Sequence, residues 1–330
     1  MPRRRCAFLS VLLAATTSVG AARAAGGMIG FYAPWDAASL ASVKQHGAAL
    51  EAVVPAWISV TGPDHKLTVV ADPQGHAALA LLKGRVQLWL MVQDALNGAW
   101  DGAGAAALLH DRAAVTSLLD QLEAQGVREK ASGLVIDFED LPPAALPDLQ
   151  TMLAAARERC RRHGWTLAVT VPAANPDWNL SALGRVADRL ILMAYDEHWQ
   201  TGAPGPIASD PWFASVVRRA VAQVPPGGTI AAVASYAYDW PANGPATVLS
   251  IPDARALAAR NGAKAERDAA SGSAHFSYAS NGVIHQVWMS DAVTVKGQIA
   301  AARAAGAPGV ALWRLGTEDP ALWGPASAPR

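Results

Sequence analysis

Continuous apolar runs alternate along the chain with longer stretches rich in Ala and Leu, at no fixed repeat length. The apolar runs at residues 29–32, 52–60, 86–92, 133–138, 167–171, 189–195, 229–236 and 309–314 predict strands. The stretches at 38–46, 111–124, 144–163, 212–224 and 293–305 predict helices. Strands without polar alternation are buried on both faces, as in a parallel sheet covered by helices. Eight such units over roughly 300 residues predict an α/β fold, a (β/α)8 TIM barrel. A doubly wound nucleotide-binding sheet competes on pattern alone. It loses because no G-x-G-x-x-G follows the first strand and no G-x-x-x-x-G-K-[ST] occurs.

Residues 241–287 break the alternation. Turn formers, a polar helix at 252–261 and alternating stretches around 274–278 and 283–288 predict a small α+β insertion after strand 7.

The first residues read differently again. Arg3, Arg4 and Arg5 precede a mostly apolar run from Cys6 to Val19, and Ala22-Arg23-Ala24 fits an A-x-A cleavage site. The run is shorter than the ~20 residues of a membrane span. The expected organisation is therefore a signal peptide at 1–24 and a barrel at 25–330. Export to the periplasm or beyond, with no stable membrane anchor, follows.

Composition narrows the function. The 330 residues carry 27 Lys+Arg and 27 Asp+Glu, so no basic footprint points to nucleic acid. Removing residues 1–24 deletes four arginines and no acid, leaving 23 basic and 27 acidic side chains, a net charge of −4. Twelve tryptophans demand burial and exclude low-complexity disorder. Of the two cysteines, Cys6 leaves with the signal peptide and Cys160 sits alone in a basic helical stretch. That excludes a disulfide scaffold or structural zinc site, and Cys160 reads as an inert helix thiol.

In such barrels the chemistry stands at the C-terminal ends of the strands. There the sequence places Tyr32, Trp57, Asp137, Glu139, Tyr195, Asp196, Tyr236, Asp239, Trp240, Trp313 and Arg314, with Trp288 in the insertion. Aromatics and carboxylates on one rim suit a poly- or oligosaccharide, whose ring faces stack while its hydroxyls bond carboxylates. Asp137 and Glu139 are two apart, so a strand directs both to one side. Two close carboxylates in a partly apolar site raise one pKa, and a Glu kept protonated is a general acid. The blander reading is a helix cap before Pro142. Tyr195 could equally be a satisfied rim hydroxyl, and Trp313 a plug of the barrel. His198 finds no second ligand at useful spacing, so neither a metal nor a cofactor is expected.

Gly133-Leu134-Val135-Ile136-Asp137-Phe138-Glu139 resembles the fourth-strand signature of glycoside hydrolase family 18, the chitinase-like barrels. Met193-Ala194-Tyr195-Asp196 resembles the sixth-strand motif of that family and Trp313 its eighth-strand tryptophan. Phe138 and the segment from Tyr236 to Trp240 resemble the bacterial branch with spore-cortex-lytic enzymes and hydrolase domains fused to polysaccharide deacetylases and glycosyltransferases. The resemblance implies a retaining, substrate-assisted mechanism on β-linked N-acetylglucosamine polymers. Glu139 would be the acid and base, Asp137 would orient the acetamido group, and Tyr195 would bond its oxygen. Asp196 would lie nearby, Trp313 would floor the sugar, and Tyr32, Trp57, Trp240 and Trp288 are further sugar contacts to test. Ser132 and Val135 stand where chitinases have two more aspartates. Val135 cannot share a proton with Asp137, so Asp137 is expected to keep one orientation. Two other readings stay open: a lectin without turnover, and a retaining glycosidase whose nucleophile is Asp196 or Asp239.

Overall fold

The computed structural model describes residues 27–324 apart from Pro63 and Asn97, so the expected signal peptide lies outside the described residues. Eight strands form the closed parallel barrel: β1 (Met28–Tyr32), β2 (Ala52–Pro55), β3 (Gln87–Gln93), β4 (Gly133–Asp137), β5 (Thr166–Pro172), β6 (Arg189–Met193), β7 (Thr229–Ala234) and β8 (Gly309–Trp313). Each pairs in parallel with the next, and β8 closes on β1 with Ile29 opposite Ala311.

Strand parity explains the two cores. Ile29, Phe31, Val54, Trp89, Met91, Val135, Ala168, Ile191 and Ala311 fill the barrel interior. Their neighbours Leu90, Val92, Leu134, Ile136, Leu167, Val169, Leu190 and Leu312 face outward into the layer shared with the helices. Full burial of each such side chain is worth ~1.5–3 kcal/mol. Gly133 opens β4 because a Cβ there would come within 2.6 Å of the Trp89 indole.

The run at 52–60 is not one strand. Val53 faces Leu88 and Ile58 faces Val92, so one extra residue is accommodated where β2 ends. Ile58–Thr61 then turns into a hairpin with Lys66–Val69. The seventh run likewise ends early. After Ala234, Ser235 donates its N–H to the Trp313 carbonyl, and the strand Tyr236–Pro241 leaves the barrel for a second sheet. That antiparallel sheet, with the helix Ile251–Arg260 against it, is the expected α+β insertion; its sheet starts at Tyr236 rather than at 241. Helices at Pro73–Leu81, Gly102–His110 and Leu180–Val186 were not among the expected ones.

Candidate active site

The C-terminal mouth of the barrel opens into a cleft of about 950 Å³. Asp137 ends β4 and is buried; Glu139 follows it, half-buried, and both line the cleft. The helix Gly102–His110 packs closely against the loop that follows. Gly102, at the start of the helix Gly102–His110, lies so close to the Asp140 carbonyl that a Cβ would stand 2.1 Å from it. Asp140 itself takes a left-handed φ of 52°.

Thr170, on β5, donates its hydroxyl to Asp137 Oδ1 at 2.6 Å. The two side chains meet because β4 and β5 run in register, Ile136 opposite Val169. Below Asp137 on the same face lies Val135, fully buried in the barrel interior. No carboxylate stands there to draw Asp137 downward.

Burial pushes the Asp137 carboxyl above the usual carboxylate range, against the lowering effect of the Thr170 hydroxyl. Glu139 is pushed well above its ordinary value, first by burial and then by the charges of Asp137, Asp94, Asp140 and Asp196. A carboxyl so placed holds its proton more tightly than a free glutamate and can deliver it to a leaving oxygen.

Tyr195 and Asp196 follow β6, and both line the cleft. Asp196 has a φ of 58°, and its Oδ1 accepts from the hydroxyls of Tyr236 at 2.5 Å and Tyr238 at 3.2 Å. Burial raises its pKa, while the two tyrosines act the other way. Trp313 ends β8 and meets Phe31 edge-on, ring centroids 5.3 Å apart, at the cleft floor. The peptide bond from Trp313 to Arg314 is cis, and the Arg314 guanidinium pairs with Asp36.

The structure does not bring every candidate to the cleft. Tyr32 and Trp57 are 1% exposed and lie in the layer between barrel and helices. Both donate to Asp72 Oδ2, at 2.8 and 3.0 Å, and Trp57 stacks on His76. On β1, parity sends Tyr32 outward and Phe31 inward; the break after Pro55 turns Trp57 outward too. Trp240 is buried beside Tyr238, away from the cleft lining, and Trp288 stacks on His275 within the insertion. Asp239 is also remote: its carboxylate takes the Tyr278 hydroxyl at 2.6 Å and His285 Nδ1 at 2.9 Å. His198 hydrogen-bonds the Pro206 carbonyl through Nδ1. Cys160 is buried in its helix, its thiol pushed up to about 12 by burial.

Four other residues enter the site. Thr170 belongs to it by parity with Ala168, a signal present in the sequence. Trp100, Trp199 and Trp212 form aromatic walls of the cleft. Among the described residues, no Lys, Arg or His lines it.

Residues 28–318 match glycosyl hydrolases family 18. The chain belongs to that family and is a glycosidase of it. A glycosylase of Bacillus subtilis, YvbX, is 24% identical over 318 residues, 92% of this chain and 91% of that one. A cortical fragment-lytic enzyme of Bacillus anthracis is 28% identical over 224 residues, 63% of this chain and 51% of that protein. Among solved structures, a chitinase from Chromobacterium violaceum is 29% identical, with a TM-score of 0.83 over 91% of this chain and 97% of its own.

Proposed function

We propose that the protein is an exported hydrolase of β-linked N-acetylglucosamine polysaccharide that works by the retaining, substrate-assisted route. In this reading the acetamido oxygen of the bound sugar attacks C1 while Glu139 protonates the leaving oxygen. Asp137, held by Thr170, orients the acetamido N–H and balances the oxazolinium charge. The Tyr195 hydroxyl bonds the acetamido oxygen, and Trp313 supports the sugar ring. Glu139, now ionised, activates the water that opens the oxazolinium and restores the configuration at C1.

The observation that carries this reading is the unequal fate of the cleft carboxyls. Glu139 offers its carboxyl to the cleft, and Asp137 stands beside it with Thr170 as its partner. Asp196, the one nucleophile candidate that reaches the cleft, has two tyrosine hydroxyls on Oδ1. The substrate's own acetamido group is then the available nucleophile. The lining of four carboxyls and no cation supports an uncharged glycan over one bearing a carboxylate on each repeat. Export rests on the basic, apolar and small-residue sequence of 1–24.

The direct test is the anomeric form of the first product, read by proton NMR before mutarotation. The β-anomer from a β-linked N-acetylglucosamine oligomer is expected. The α-anomer would overturn retention.

A further inference from the structure

One buried carboxyl beneath the site is unused by this mechanism. Asp94 follows β3 and is fully buried. Its Oδ1 accepts the backbone N–H of Glu139 at 3.0 Å, across from β3 to the end of β4. Its Oδ2 is also buried, and among the described residues no donor reaches it. The backbone of Asp94 is fixed as well: its carbonyl accepts the Asp101 N–H at 2.8 Å, and Asp101 is tied to Gly62 and Gly104.

A buried ionised oxygen without a partner is costly, whereas a protonated carboxyl is much cheaper. From this geometry we infer that Asp94 is a positioning residue for Glu139, holding the acid's backbone from beneath and setting the alkaline end of its working range. The inference rests on the reading of Glu139 as the acid.

The groups facing Asp94 are Asp137, Glu139 and Asp140, from β4 and its loop. Asp101, on its own loop, directs its carboxylate to backbone N–H groups, and the adjoining strand Ile58–Thr61 carries no titratable side chain. Burial pushes Asp94 up to about 7, assisted by the charges of Asp137 and Asp140. Below that pH it is neutral. Above it, a new negative charge appears next to Glu139 and opposes loss of the Glu139 proton.

Two variants separate the parts. Asp94→Asn keeps an acceptor for the Glu139 N–H but never ionises. The alkaline limb of its kcat/KM profile on a fully N-acetylated glucosamine oligomer should move down by about one pH unit. Asp94→Ala also loses the acceptor, so kcat should fall by roughly tenfold or more with little change in KM, and Asn should restore most of that loss. An unmoved alkaline limb in Asp94→Asn would overturn the inference, even if Asp94→Ala fails to fold. A second readout does not depend on activity: carboxyl 13C NMR of the wild-type protein should show Asp94 titrating near neutrality. Titration of Asp94 below pH 5 would overturn the inference whatever the substrate proves to be. Absence of cleavage by the wild type would instead count against the proposed function.

Discussion

The Thr170 hydroxyl donates to Asp137 Oδ1 at 2.6 Å, while Val135 closes the barrel beneath that carboxylate. Asp137 therefore has one hydrogen-bonded orientation, toward β5. Removing the hydroxyl leaves the buried carboxyl without that partner, and a hydrogen bond to such a group is worth ~1.5–3 kcal/mol. Thr170→Val preserves shape and should lower kcat by roughly tenfold or more while KM changes little. Steady-state kinetics on an N-acetylglucosamine oligomer checks this, and an unchanged kcat would dissociate Thr170 from catalysis.

Glu139→Gln should abolish hydrolysis and keep oligosaccharide binding, since the amide preserves shape and carries no transferable proton. It should also change stability with a definite sign. The folded pKa of Glu139 lies above the unfolded value of ~4.3, so the native state holds its proton more tightly. Below the unfolded pKa both states are protonated and nothing is lost. As pH rises above it, the unfolded chain ionises first and native stability falls until the folded pKa is passed. The variant escapes this loss. Its melting temperature should exceed that of wild type by a few degrees at pH ~7, and match it at pH ~4. Scanning calorimetry at the two pH values measures the difference, and a higher wild-type value at neutral pH would contradict the placement.

Trp57 and Trp212 should behave oppositely. Trp57 is 1% exposed and bonded to Asp72, so Trp57→Ala should cost about 3–5 kcal/mol of stability. Trp212 is half-buried and lines the cleft, so Trp212→Ala should raise KM, by roughly fivefold to tenfold, with a smaller loss of stability. Denaturant melts paired with kinetics tell the two apart. A raised KM in a well-folded Trp57→Ala would return that residue to the substrate.

The acidic lining predicts discrimination by charge. A glycan with a carboxylate on every repeat should bind several-fold less well than a neutral N-acetylglucosamine oligomer, and the gap should narrow as salt rises. Competition binding at low and high ionic strength reads this. Equal affinity at low salt would count against it.

The eight barrel strands and the Asp137–Glu139 pair were legible because continuous apolar runs and an i, i+2 carboxylate spacing are local properties. Parity along each strand also carried information that a search of strand ends for aromatics passes over. It separates Phe31 from Tyr32 and assigns Thr170 to the interior beside Ala168. Other features were illegible for physical reasons. Trp57 depends on an extra residue accommodated between β2 and β3, and Tyr236 leaves the barrel inside a run broken only by Ser235. Asp94 lies past the last paired residue of β3, where alternation no longer fixes a side chain's direction. Its link to Glu139 is a hydrogen bond between residues 45 apart, which no local pattern announces.

The most direct test of the account is reducing-end release by the purified protein from a fully N-acetylated glucosamine oligomer and from its de-N-acetylated counterpart. If the acetamido group is the nucleophile and Glu139 the acid, only the acetylated oligomer is cleaved. Cleavage of both at similar rates would require a nucleophile from the protein and would contradict the mechanism.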